Sequence, residues 1–130
     1  QIRIGLGEPL GYSQDDITFE GVGIEYRLIA EDPDNNFTPW VGRIERFGWK
    51  EQPWLTMLTH VPTTEPYEIP TEFDPNLALA IIWGKDLEEA KARGLEFLRD
   101  LRLEGHNTAG EELKSNVNFL AANTERILRF

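Results

Sequence analysis

From Gly21 the chain alternates between apolar and polar positions. Ile24, Tyr26, Leu28 and Ala30 fall on one side of an extended backbone, and Glu25, Arg27, Ile29 and Glu31 fall on the other. This is the period-two pattern of a strand with one buried face. The stretch "EDPDNNFTP" ends it, because Pro, Asp and Asn favour turns over ladder positions, and Val41 to Phe47 opens a second short strand. Between Gly48 and Pro70, prolines interleaved with β-branched and aromatic residues predict short strands joined by tight turns. "NLALAIIW", Asn76 to Trp83, is a continuous apolar run of strand length, which predicts a strand covered on both faces.

The period then changes. Asp86 is placed to cap a helix with Glu89 in the box position, and Leu87, Ala90, Gly94, Leu98 and Leu101 recur at helical spacing until Gly105 is expected to close it. "EGHNTAGEE" reads as a polar connector, and Leu113, Val117, Leu120, Ala121 and Leu128 mark a final helix from about Glu111 or Ser115 onward. The first seventeen residues, with "GLGEPLG" and "SQDDI", predict a loop around a short turn or helix start. Strands come mostly first and helices last, which argues an α+β domain: an antiparallel β-sheet with helices packed on one side.

Composition narrows the function classes. With 130 residues, 40% hydrophobic and 28% charged, the chain suits one globular domain or a piece of a larger one. It begins with Gln1 inside what reads as an ordered segment, so a longer parent polypeptide is expected. No apolar run approaches the length of a membrane span, and the first residues lack a secretory pattern. A soluble, cytoplasmic protein without a membrane partner is expected, with the mitochondrial matrix as the eukaryotic counterpart. The absence of cysteine removes thiolate and zinc-cysteine chemistry, and His60 and His106 stand far apart. A formal net charge of -10 opposes binding to a phosphate backbone; Arg43 with Arg46, and Arg126 with Arg129, are scattered pairs that read as solvated surface charges.

Most local motifs reduce to structural roles. Gly5 and Gly7 lack the third glycine and the strand-to-helix setting of a dinucleotide loop. Asp32, Asp34 and Asn36 have calcium-loop spacing, but Phe37 stands where the turn needs glycine and Arg43 where the bidentate glutamate belongs. Asn36-Phe37-Thr38 is a glycosylation pattern without a secretory context, and Glu88 and Glu89 fall in a first helical turn, where acids complement the dipole. No complete nucleophile triad, paired-histidine helix or phosphate loop can be assembled. Arg27 is the informative position. On pattern alone, its pairing with Glu25 on one strand face reads as a structural ion pair.

A resemblance changes that reading. "GVGIEYRLIAEDPDNNFTPWVGRI" resembles the biotin carboxylase C-terminal domain, through Gly21, Ile24, Glu25, Arg27, Ala30, Glu31, Asp32, Pro33, Asn36, Phe37, Pro39, Gly42 and Ile44. "EIPTEFDPNLALAIIWGKDLEEAKAR" is similar to a second block of that family through Phe73, Asp74, Pro75, Trp83, Gly84, Glu89 and Ala90. "LKSNVNFL" and "QIRIGLGEPLGYSQDDI" resemble two more, in the family's order and spacing. Nearly the whole chain is covered.

The resemblance implies the C-terminal subdomain of an ATP-grasp enzyme that uses ATP and bicarbonate, with magnesium, to carboxylate biotin on a carrier protein. Such enzymes work within acetyl-, propionyl- or pyruvate-type carboxylases. The implied partners are the upstream ATP-grasp part, the biotin carboxyl carrier domain, the carboxyltransferase and a second copy in a homodimer. Arg27 is implied to face the ureido oxygen of biotin and to stabilise the enolate formed there, with Glu25 and Asp74 in support and Leu113 beside the adenine. No metal ligand, and no cofactor bound by this chain alone, is expected. The alternative is an interaction module that keeps the fold without the activity. Three departures bear on it: Val22 replaces a histidine, Tyr26 a cysteine and Leu79 a lysine. Between Gln52 and Thr64 no arginine stands where some relatives use one at a dimer contact, and neither Met57 nor Leu58 can replace it.

Overall fold

The computed structural model describes residues 1–72 and 74–127. Phe73, Leu128 and Arg129, which enter the expectations above, lie outside the described residues. The strands are β1 (Val22–Ile29), β2 (Glu31–Asp32), β3 (Thr38–Pro39), β4 (Arg43–Gly48), β5 (Leu55–Thr59), β6 (Tyr67–Glu68), β7 (Asn76–Gly84) and β8 (Arg102–His106). The helices are α1 (Ile2–Gly5), α2 (Leu87–Asp100) and α3 (Val117–Ile127). Among the described residues pairing is antiparallel throughout, in three sheets: β1-β7-β5, β2-β3 and β6-β4-β8. The α+β class expected from the sequence is the one found.

The alternation in β1 does what its pattern dictates. Ile24, Tyr26 and Leu28 are buried and meet α2 and α3, while Glu25 and Arg27 remain exposed. Leu28 is fully buried, which stabilises the fold by about 1.5–3 kcal/mol relative to exposure. The central strand β7 departs from its expected double cover. Ala78, Ala80 and Ile82 are buried on the helix side, whereas Leu79 and Ile81 are half-buried and Trp83 is exposed. A continuous apolar run cannot tell a strand with both faces covered from a central strand whose second face is only partly shielded. The ladder also slips between Leu28 and Ile29, which pair with Ala78 and Asn76; the unpaired Leu77 turns inward and is buried beside Ala78.

Helix α2 starts as predicted, with Asp86 Oδ1 accepting from the Glu89 amide at 2.9 Å. Glu89 returns its carboxylate to the amide of Lys85 rather than of Asp86, at 2.7 Å. The helix ends at Asp100, not at Gly105. Leu101 is already extended, and Arg102 to His106 form β8 against β4. Gly105 is glycine for a different reason than expected: a Cβ there would run into the Arg43 carbonyl across the ladder. "EGHNTAGEE" is therefore strand for its first three residues, followed by a turn, and α3 begins at Val117, later than either predicted start.

Tyr26 ties the layers together. A Cβ at Gly94 would lie 2.5 Å from Tyr26 Oη, so α2 approaches β1 only because position 94 has no side chain. Thr124 Oγ1 donates to the Leu120 carbonyl at 2.8 Å, which leaves the Tyr26 hydroxyl as donor to Thr124 Oγ1 at 2.9 Å. Burial pushes the Tyr26 phenol above its usual range, partly offset by that bond.

Candidate functional site

The outer face of the β1-β7-β5 sheet carries the candidate residues. Its side chains alternate away from the core, so Arg27, Leu79 and Leu58 form one cross-strand row, and Glu25, Ile81 and Thr56 form the next. Arg27 is 70% exposed and Glu25 44% exposed along their side chains, and Arg27 Nε donates to Glu25 Oε1 at 3.0 Å. Among the described residues this is the side chain's one hydrogen bond. The guanidinium is therefore oriented through Nε, with its terminal donors presented to solvent. Leu58, at the far end of the row, is 52% exposed. The Arg27 guanidinium thus stands at one end of an apolar row.

The backbone under Arg27 is held from the strand's other edge by Asn116, a residue that the local pattern does not single out. Asn116 Nδ2 donates to the Arg27 carbonyl at 2.8 Å, the Ile29 amide donates to Asn116 Oδ1 at 2.9 Å, and the Asn116 amide donates to the Ile29 carbonyl at 3.1 Å. Farther along, Lys114 Nζ lies 2.7 Å from Asp32 Oδ2. The hydrogen bond from Lys114 holds the Asp32 carboxyl below the usual carboxylate range, and the same bond holds the Lys114 ammonium above its usual range. Between these contacts, burial raises the Glu31 carboxyl. The segment preceding α3 thus follows β1 from Arg27 to its turn.

The other sequence-predicted residues make no hydrogen bond to Arg27 among the described residues. Asp74 is exposed and accepts from the Asn76 amide at 2.9 Å, a local turn at the mouth of β7. It lines a hollow of about 440 Å³ with His60, Tyr67, Pro70 and Asn76, and Arg27 is absent from that lining. Leu113 is half-buried and donates its amide to the Gly105 carbonyl at 2.9 Å. It lines a separate groove of about 730 Å³ between α2, α3 and the turn after β1, with Asp32, Leu98, Lys114 and Phe119. The arrangement can present one oriented guanidinium to an anion or a developing negative charge. Among the described residues, no group of three or more His, Cys, Asp or Glu is arranged to hold a metal ion.

Comparison with known proteins agrees with this fold. The model of the biotin carboxylase C-terminal domain matches residues 25–126. The chain belongs to that family. The domain is 36% identical over 126 residues to the biotin carboxylase of Nostoc sp., a match that covers 95% of the chain and 28% of that protein. It is 34% identical to the mitochondrial methylcrotonoyl-CoA carboxylase subunit alpha of Mus musculus, over 92% of the chain and 16% of the relative. Among solved structures it resembles the biotin carboxylase domain dimer of Hydrogenobacter thermophilus 2-oxoglutarate carboxylase, crystallised with MgADP, ADP and bicarbonate. That match has a TM-score of 0.82 and 31% identity, and covers 95% of this chain and 25% of that one. The domain therefore spans less than a third of the relatives it matches. No helix among its described residues is long and apolar enough to cross a membrane.

Proposed function

We propose that this chain is the C-terminal part of a biotin carboxylase, and that Arg27 is its contribution to the reacting centre. The whole enzyme would use ATP and bicarbonate, with magnesium, to carboxylate biotin on a carrier domain and pass the product to a carboxyltransferase. The observation that supports the reading best is the Arg27 guanidinium, exposed on a sheet face and oriented by Glu25 at 3.0 Å. A planar fork with free donors fits a ureido or carboxylate oxygen. In this reading ATP and magnesium belong to the upstream ATP-grasp part. The isolated chain is expected to be inactive.

Biotin, when bound, supplies a ureido oxygen that gains negative charge as the adjoining nitrogen loses its proton. Arg27 holds a fixed cation for that oxygen, already oriented before the charge develops, which is how preorganised donors lower a barrier. Glu25 keeps Nε engaged and so limits the rotation of the fork. Leu79, directly across the ladder, presents an apolar neighbour rather than a second charge. Asp74, at the mouth of β7, would act in support through its turn, and Leu113 would border the adenine from its own groove.

One observation favours an interaction module without activity: Leu79 stands opposite Arg27 where the resemblance has lysine. The two readings separate on the full-length parent. Bicarbonate-dependent ATP turnover that falls sharply in Arg27→Lys supports the enzyme, and no turnover in the unaltered parent supports the module.

A further inference from the structure

We infer that Asn116 is a positioning residue for Arg27, fixing through its side-chain amide the stretch of backbone from which Arg27 projects. The inference rests on the assignment of Arg27 to the reacting centre. Asn116 is only 5% exposed, and a buried amide must find partners for both its ends. It finds both on β1, the donor end on the Arg27 carbonyl at 2.8 Å and the acceptor end on the Ile29 amide at 2.9 Å.

Helix capping does not explain this side chain. Among the described residues Asn116 Oδ1 accepts from the Ile29 amide and from neither Asn118 nor Phe119, whose amides an N-cap side chain would serve. The backbone of Asn116 serves both elements: its amide donates to the Ile29 carbonyl at 3.1 Å, and its carbonyl accepts from the Leu120 amide at 2.9 Å in the first turn of α3. Asn116 is thus a rigid link between α3 and the edge of β1.

The place of the link matters. The β1-β7 ladder slips between Leu28 and Ile29, so regular pairing ends one residue beyond Arg27. Slips of this kind re-aim neighbouring side chains. Three bonds from Asn116 restrain the outer edge of the strand on both sides of that slip, where β7 does not reach. The chemistry is specific to an amide, which offers a donor and an acceptor from one plane. An ionised aspartate has the same shape but only acceptors, and it would face the Arg27 carbonyl oxygen with another oxygen.

The test uses the full-length parent enzyme with Asn116→Asp and Asn116→Ala, each in the wild-type and the Arg27→Ala background. In the wild-type background, kcat for biotin carboxylation should fall roughly 10-fold to 100-fold, the scale of a small misplacement of a catalytic group, while KM for ATP stays unchanged. In the Arg27→Ala background the same substitutions should lower kcat no further. An unchanged kcat in a folded Asn116→Asp enzyme, or an equal loss in both backgrounds, overturns the inference. Amide hydrogen exchange of the unaltered enzyme gives a readout independent of variant folding: Ile29 should exchange slowly, and fast exchange overturns the clamp. Arg27→Ala retaining turnover would instead overturn the proposed function, so the two failures are told apart.

Discussion

Lys114 Nζ lies 2.7 Å from Asp32 Oδ2 and joins the end of β2 to the segment that leads into α3. The Asp32 carboxyl is held below its ordinary value of 3.8, so its contribution to stability is present above that value and is lost as pH falls through the folded-state pKa. The Lys114 ammonium is held above its ordinary 10.5, so its contribution is present below that value and is lost as pH rises through the folded-state pKa. Asp32→Asn should therefore lower the melting temperature at neutral pH, with the gap to wild type closing in strong acid. A gap that stays constant from neutral to acid pH would show that the ion pair is not its source.

Gly94 and Tyr26 should behave as a coupled pair. Gly94→Ala places a methyl group against the Tyr26 ring and hydroxyl, which should cost about 1–3 kcal/mol as overpacking. In a Tyr26→Cys background, which empties that space, the cost of Gly94→Ala should shrink. Denaturant melts of the four proteins measure the coupling, and simple additivity would contradict the packing account.

Strand β5 bears on quaternary structure. It lies at an edge of the sheet, with Leu58 exposed, and the segment from Gln52 to Thr64 contains no arginine. The dimer contact of the full-length parent through this segment should be weakened or replaced by another surface, which light scattering over a dilution series tests. A tight dimer whose contact includes β5 would count against this.

The elements built from local periodicity were legible in the chain. The β1 alternation, the Asp86 cap of α2 and the apolar β7 all lie within a few residues of the pattern that announces them. Strand β8 was hidden because its inward positions are Leu103 and Gly105, and one of these has no side chain, while Leu98 and Leu101 just before it keep helical spacing. Gly105 read as a helix terminator for the same reason that it serves in a strand: the absence of a Cβ. At the candidate site, Arg27 and its bond to Glu25 could be read from a two-residue spacing. The Asn116 clamp could not, because its partners lie 87 and 89 residues away and nothing local distinguishes it from an ordinary asparagine before a helix. Asp74 and Leu113, which the resemblance puts in a supporting role and beside the adenine, line two different hollows of the fold.

The most direct measurement is the turnover of Arg27→Lys in the full-length parent enzyme. Lysine keeps the charge but loses the planar fork and the Nε donor that meets Glu25, so kcat for biotin carboxylation should fall roughly 10²-fold to 10³-fold. KM for ATP should barely change, because the interaction strengthens only as charge develops on the acceptor oxygen. The exposed pair with Glu25 contributes about 0–1 kcal/mol, so the melt should hardly move. A folded Arg27→Lys enzyme with near-normal kcat would contradict the account and leave Arg27 an ordinary surface arginine.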